Sequence, residues 1–200
     1  MADPEILQRD GDNGRTEFGR YGQMPKWDAR VAAYADCDEA NAVIGVALSV
    51  TGFTVEVTST LASVQNDLWD VLADLAVPLN GGEEATARIH EAHLVRLERA
   101  ILHFEQEPAD LEGVVLPGGT VAAATLYHAR AVVRRAERMV WVAFETYPEG
   151  VNVLTAQYLN RLSTLLFVLA RGANVEHGDI NWRPEASSRA MEDGDVTSGD

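Results

Sequence analysis

Apolar residues recur at three- and four-residue spacing over five stretches of the chain, and nowhere do they alternate with period two for long. The spacing predicts a helix over 29–49, with Val31, Tyr34, Ala42, Ile44, Ala47 and Leu48 facing the core. A second is predicted over 55–75, carrying Leu61, Val64, Leu68, Val71, Leu72 and Leu75, ended by Pro78 and the Gly81-Gly82 pair. A third spans 83–107, with Ile89, Leu94, Leu97, Ile101 and Leu102 inward and Pro108 as its stop. The turn signal Leu116-Pro117-Gly118-Gly119 then leads into a fourth helix over 120–146, with Thr120 as its N-cap. Pro148 and Gly150 break it, and a fifth helix over 151–171 carries Leu154, Tyr158, Leu162, Leu165, Leu166 and Leu169.

This is the pattern of an all-α, five-helix bundle. Its flanks differ from it. Residues 1–28 hold Pro4, Gly11, Gly14, Gly19, Gly22 and Pro25 among charges, which is loop chemistry. Residues 29–184 form the bundle domain, with Asn174 to Pro184 as a connecting segment, and 185–200 read as a disordered acidic tail. At 200 residues one such domain buries enough surface to need no staple. The single cysteine, Cys37, makes no internal disulfide and anchors no Cys/His metal cluster. No leader pattern begins the chain and no apolar run approaches the ~20 residues that cross a bilayer, so a cytoplasmic location without a membrane partner is expected.

Charge narrows the function. Sixteen Lys+Arg against 31 Asp+Glu give a net charge of -15, which repels a phosphate backbone and argues against a nucleic-acid partner. Lys26 is the only lysine, so the remaining positive charge is arginine, the side chain suited to bidentate contacts with carboxylate and phosphate. Known nucleotide motifs are missing: there is no GxxxxGK[ST] loop and no Gly-rich strand-to-helix turn. No Glu-x-x-His pair offers a di-iron site. His90 and His93, three apart, are expected on a solvated helix face.

Arg130, Arg134, Glu137 and Arg138 share one face of the fourth helix at 100° per residue, with Arg135 turned elsewhere. Like charges four residues apart repel, so an anion should compensate them. Two candidates stand side by side: carboxylates such as Asp38, Glu39 or Asp70, or a bound polyphosphate.

These residues also carry a resemblance. Val115-Leu116-Pro117-Gly118-Gly119-Thr120, Ala129-Arg130 and Arg134-Arg135-Ala136-Glu137-Arg138 are similar to the PduO-type ATP:corrinoid adenosyltransferases. So are Asp36-Cys37-Asp38-Glu39-Ala40-Asn41 with Ile44-Gly45, Gln65-Asn66-Asp67-Leu68, and Tyr158-Leu159-Asn160-Arg161-Leu162-Ser163 with Leu165-Leu166-Phe167. The motifs keep their order from about Arg9 to Pro184. The resemblance implies a trimer with active sites between subunits, where ATP with Mg²⁺ gives its 5′-deoxyadenosyl group to the cobalt(I) of cobalamin and triphosphate leaves. It implies no metal held by the protein alone. It leaves room for a flavin-type reductase and an adenosylcobalamin-dependent client enzyme as partners.

Carried over by position, the resemblance implies that Arg9, Gly11, Asp12, Gly14, Thr16 and Lys26 bind the nucleotide with Arg134, Glu137 and Asn160. Asp38 and Arg130 would pair across subunits and, with Arg134, serve catalysis; Val114, Phe167 and His128 would lie by the corrin. The chain departs from the family at several of these places. The loop reads Gln8-Arg9-Asp10-Gly11-Asp12-Asn13-Gly14-Arg15-Thr16, without the two leading threonines, and Asp10 brings a carboxylate toward phosphate. Val114 stands where an aromatic usually closes the lower face of the corrin, Tyr127 where a histidine is usual, with His128 beside it, and Thr164 where the last helix usually has Asp. The alternative reading is a cobalamin-binding or storage paralogue that has lost the ATP chemistry.

Overall fold

The computed structural model describes residues 11–81, 85–105 and 114–188. It is the expected helical bundle: α1 (Ala29–Leu48), α2 (Val55–Leu75), α3 (Glu91–Phe104), α4 (Val121–Thr146) and α5 (Val153–Gly172). Helix starts follow local chemistry. Asp28, Thr54, Thr120 and Asn152 each sit at an N-cap with extended backbone and accept an amide from the first turn. The helices shelter one core. The apolar positions expected on α2 are all buried, as are Tyr158, Leu162, Leu165, Leu166 and Leu169 of α5.

α1 and α4 run antiparallel and close together. The Tyr147 hydroxyl at the end of α4 donates to Asp28 Oδ2 at the start of α1 at 2.7 Å. At the far end Gly52 lies beside Ala122. Small residues allow the approach: α1 buries Ala33, Cys37, Ala40 and Ala47, and α4 buries Ala129, Ala136 and Ala143. Ala42, expected inward, is exposed, because the stripe that α4 covers runs one step around the helix.

Three expectations need correction. The third helix begins at Glu91, not 83, and ends at Phe104. Asp74 is the reason: its buried carboxylate accepts the Ile89 amide (2.9 Å), the Arg88 guanidinium (2.6 Å) and Asn152 Nδ2 (2.7 Å), which hold that segment extended. Pro108 and residues 106–107 lie outside the described residues, as do 83 and 84. The histidine pair therefore does not share a helix face. His90 is the cap of α3, and its amide donates to His93 Nδ1 at 3.1 Å.

Second, the N-terminal segment is not all loop. Arg15–Glu17 (β1) pairs antiparallel with Gln23–Pro25 (β2). Buried Phe18 and Met24 seat this hairpin on the bundle, Phe18 edge-on to Tyr34 of α1. Third, α5 does reach the length and apolarity of a membrane-crossing helix. Its largest apolar side chains are consumed by the core: Tyr158, Leu159, Leu162, Leu165 and Leu166 have no exposed surface. Of the tail, residues 185–188 form a turn and the rest lies outside the described residues.

Candidate functional site

Glycines shape the loop before the hairpin. Gly11 and Gly14 adopt φ of +94° and +77°, the left-handed region that an L side chain avoids. Gly14 donates to Gly11 O at 3.1 Å and accepts from the Lys26 amide at 2.9 Å. A Cβ on Gly11 would stand 3.0 Å from Lys26 Nζ. The only lysine is thus folded over the glycine loop, and Lys26, Gly11, Asp12, Gly14 and Thr16 come together as the sequence predicts. Arg9 lies outside the described residues, with Gln8 and Asp10.

The second cluster is on α4 and α5. Arg135 is taken by α1: it pairs with Glu39 and lies 3.5 Å from Asp36. Arg130, Arg134 and Arg138 pair with no carboxylate among the described residues. The carboxylates proposed as their internal partners are engaged elsewhere or open: Glu39 holds Arg135, Asp70 faces His93 at 3.6 Å, and exposed Asp38 makes no ion pair among the described residues. Burial, and then the neighbouring charge of Arg134, pushes the pKa of Arg130 below its ordinary value, as expected for a cation without a counter-charge. Its guanidinium lies 5.3 Å from the centre of the Phe167 ring. Asn160 Nδ2 donates to Glu137 Oε1 at 3.1 Å, which joins the two helices at this face. Arg130, Arg134, Glu137, Asn160 and Phe167 are therefore neighbours along the α4–α5 face, while His128 is exposed on a different side of α4.

Sequence reasoning missed three residues at this end. Tyr127 packs edge-on against Phe167, and its buried hydroxyl has no hydrogen-bond partner. Burial raises its pKa. Asn174 clamps the Pro-Gly-Gly turn: Oδ1 accepts the Thr120 amide at 2.9 Å, and Nδ2 donates to Gly118 O at 2.9 Å. The signal for Asn174 was the pair of glycines it approaches. A Cβ on Gly119, where φ is +96°, would fall 2.3 Å from Asn174 Oδ1. The third, Trp182, bonds to the backbone of Val114.

Asp67, Asp70 and His93 lie close enough to suggest a metal set. Asp67 is already neutralised by Arg96 and accepts the Tyr158 hydroxyl at 2.9 Å, so the group acts as an ion network between α2, α3 and α5.

The loop and the arginine face are far apart within one chain. Arg135 of α4 lies level with Asp36–Glu39 of α1; Lys26 precedes α1, and Arg130 lies further toward the opposite end. At 1.5 Å per residue the two clusters are separated by roughly 20 Å along the bundle.

A helical bundle with a cationic face lacking an internal anion, and a Gly/Lys loop at a distance, is built to hold a polyanion. The chain belongs to the cobalamin adenosyltransferase family, whose model matches residues 6–173. It is 47% identical over 180 residues to the corrinoid adenosyltransferase of Mycobacterium tuberculosis, covering 90% of this chain and 93% of that one. It is 34% identical over 186 residues to the cobalamin adenosyltransferase of Cupriavidus metallidurans, covering 92% and 97%. The fold matches a variant PduO-type ATP:corrinoid adenosyltransferase from Lactobacillus reuteri, complexed with cobalamin and ATP, at a TM-score of 0.81 and 32% identity, over 90% of this chain and 97% of that one.

Proposed function

We propose that this chain transfers the 5′-deoxyadenosyl group of ATP to cob(I)alamin, forming adenosylcobalamin and releasing triphosphate. The cobalt(I) electron pair attacks the 5′ carbon, a Co–C bond forms, and the C–O bond breaks with its electrons to triphosphate. The observation that carries this reading is the guanidinium set Arg130, Arg134 and Arg138, which no carboxylate of the described chain compensates.

Charge develops on a leaving polyphosphate, and fixed cations aimed at it lower the barrier more than they hold the neutral end of the substrate. Arg134 supplies that cation, with Glu137 and Asn160 on the nucleotide. Lys26 and the amides of the Gly11–Thr16 loop bind phosphate, with Arg9 before them. Mg²⁺ takes oxygen donors and usually keeps most of them from phosphate and water; Asp12 and Glu137 are the carboxylates this donor set offers, which fits the ion entering with ATP. Val114 and Phe167 face the corrin, and His128, exposed, is the remaining corrin-side candidate.

The separation of loop and arginine face supports a homotrimer in which one subunit's loop meets the next subunit's α4, with Asp38 and Arg130 pairing across the contact. Cobalt(II) must be reduced before attack, so a flavin-type reductase is the expected electron source. An adenosylcobalamin-dependent enzyme is the expected recipient, and both belong with a cytoplasmic protein.

Mixing the protein anaerobically with cob(I)alamin, ATP and Mg²⁺ and following the absorbance tests the reading. Conversion to adenosylcobalamin is expected. No conversion, with cobalamin bound equally well in the absence of ATP, would overturn it in favour of a storage protein.

A further inference from the structure

The connecting segment after α5 folds back on the strand that precedes the Pro-Gly-Gly turn. Trp182 N–H donates to Val114 O at 2.7 Å and Leu116 N–H donates to Ile180 O at 2.8 Å, around an antiparallel bridge between Val115 and Asn181. This register sets Val114 opposite Trp182 and Leu116 opposite Ile180. Side chains alternate across a strand, so these four share one face of the ribbon, while Val115 packs on the core from the other. All four are open: Val114 is 62% exposed, Leu116 43%, Ile180 61% and Trp182 54%. A contiguous set of large apolar side chains left in water marks a binding surface. A cleft of about 740 Å³ opens along it, lined by Leu116, Asp179, Ile180, Trp182 and Arg183 among others.

We propose that this ribbon face receives the lower axial face of the corrin, and that Trp182 supplies the aromatic wall that Val114 does not. The proposal rests on the adenosyltransferase reading above. The occupant follows from chemistry and place. A corrin is a broad, flat, largely apolar ring, and the ribbon joins directly to the clamped turn that starts α4, the helix carrying Arg130. The four side chains contain no oxygen or imidazole nitrogen to ligate cobalt. The nearest carboxylate, Asp179, is held by Arg171 at 2.8 Å and by Asn174 at 3.4 Å. A surface of this kind excludes water from the lower axial position. Trp182 is thus a positioning residue: it touches the ring and governs cobalt coordination, but takes no part in bond transfer.

The test uses the full chain, cob(II)alamin and saturating ATP, with electron paramagnetic resonance to read cobalt coordination. Wild type should hold a four-coordinate fraction. Trp182→Ala should convert it to a five-coordinate, water-ligated form and weaken cob(II)alamin about tenfold or more, the scale of an aromatic removed from an apolar contact, with ATP affinity unchanged. Trp182→Phe should keep the four-coordinate signal, and Val114→Phe in the Trp182→Ala background should restore it. These two variants separate loss of the wall from loss of fold. If wild type converts cobalamin and Trp182→Ala retains the four-coordinate signal, the proposal is overturned while the activity stands. If Trp182→Ala instead changes the sedimentation of the protein and leaves the cobalt signal intact, the face is a contact between copies and the proposal is again overturned. If wild type neither binds nor converts cobalamin, the activity reading falls and takes the proposal with it.

Discussion

Arg135 of α4 is paired with Glu39 of α1 across the tightest helix contact of the bundle. Arg134, one residue earlier, turns to a face where the described chain offers it no carboxylate. The two guanidinia are adjacent in sequence and opposite in use. Arg135→Ala should lower stability by about 0.2–1 kcal/mol, the range of an exposed ion pair, and leave kcat near that of wild type. Arg134→Ala should leave thermal stability within about 0.5 kcal/mol. It should reduce kcat on the order of 10²–10³-fold, as removal of one charge-stabilising donor does. Thermal melts beside steady-state adenosylation check the pair; equal kinetic losses in both variants would contradict the assignment.

The sequence separated these two arginines by helical periodicity, since at 100° per residue Arg135 leaves the face that holds 130, 134 and 138. Most of the bundle was legible for the same reason, because burying a stripe leaves a period in the sequence. Tertiary hydrogen bonds leave none. The start of α3 was misplaced because 83–90 has helical composition, and only Asp74, distant in sequence, holds part of it extended. The hairpin was missed because its strands are three residues each and anchored by single buried side chains. The α4 half of the site was legible as charge. Its other half, the Tyr127 hydroxyl, the Asn174 clamp and the ribbon that presents Trp182, depends on chain crossings between residues 52 to 68 positions apart, which no local pattern encodes.

Asp74 joins the end of α2, the entry to α3 and the cap of α5 through Ile89, Arg88 and Asn152. Its side chain is fully buried. Asp74→Ala leaves the Arg88 cation and two donors without their acceptor, so a loss of about 3–5 kcal/mol is expected. Asp74→Asn keeps the shape and part of the hydrogen bonding and should lose less. Urea unfolding of both variants gives the order; an Asp74→Ala variant as stable as wild type would remove the hub from the account.

Asp28 links acidity to stability. Burial alone would raise its pKa, but the Tyr147 hydroxyl and Arg30 outweigh burial and hold it below the ordinary carboxylate value. The sign follows. A carboxylate whose folded pKa is depressed contributes stability that is fully present above its unfolded pKa, about 3.9, and is lost as pH falls through the lower folded value. Asp28→Asn retains the helix cap but gives up the charge interaction. Its deficit relative to wild type should therefore be constant near neutrality and vanish on acidification below about pH 4. Denaturant midpoints from pH 7 to pH 2.5 measure this, and a deficit that grows toward acid would reverse the argument.

Gly11 tests whether the loop binds phosphate independently of the fold. Its φ of +94° is strained for any L side chain, and an added Cβ would stand 3.0 Å from both Lys26 Nζ and Arg15 O. The Lys26 side chain can move, but the Arg15 carbonyl belongs to β1, so the loop itself must shift. Gly11 lies outside the core, and its peptide holds only Gly14 in place. Gly11→Ala should consequently cost about 1 kcal/mol or less from the left-handed backbone, visible as a small drop in melting temperature. The lysine and the loop amides would lose their shared geometry, so the KM for ATP should rise about tenfold or more, while cobalamin affinity measured without ATP stays unchanged. Lys26→Ala should raise the same KM without the thermal effect. If Gly11→Ala raises the KM for ATP and weakens ATP-free cobalamin binding together, the loop acts through the fold and not through phosphate.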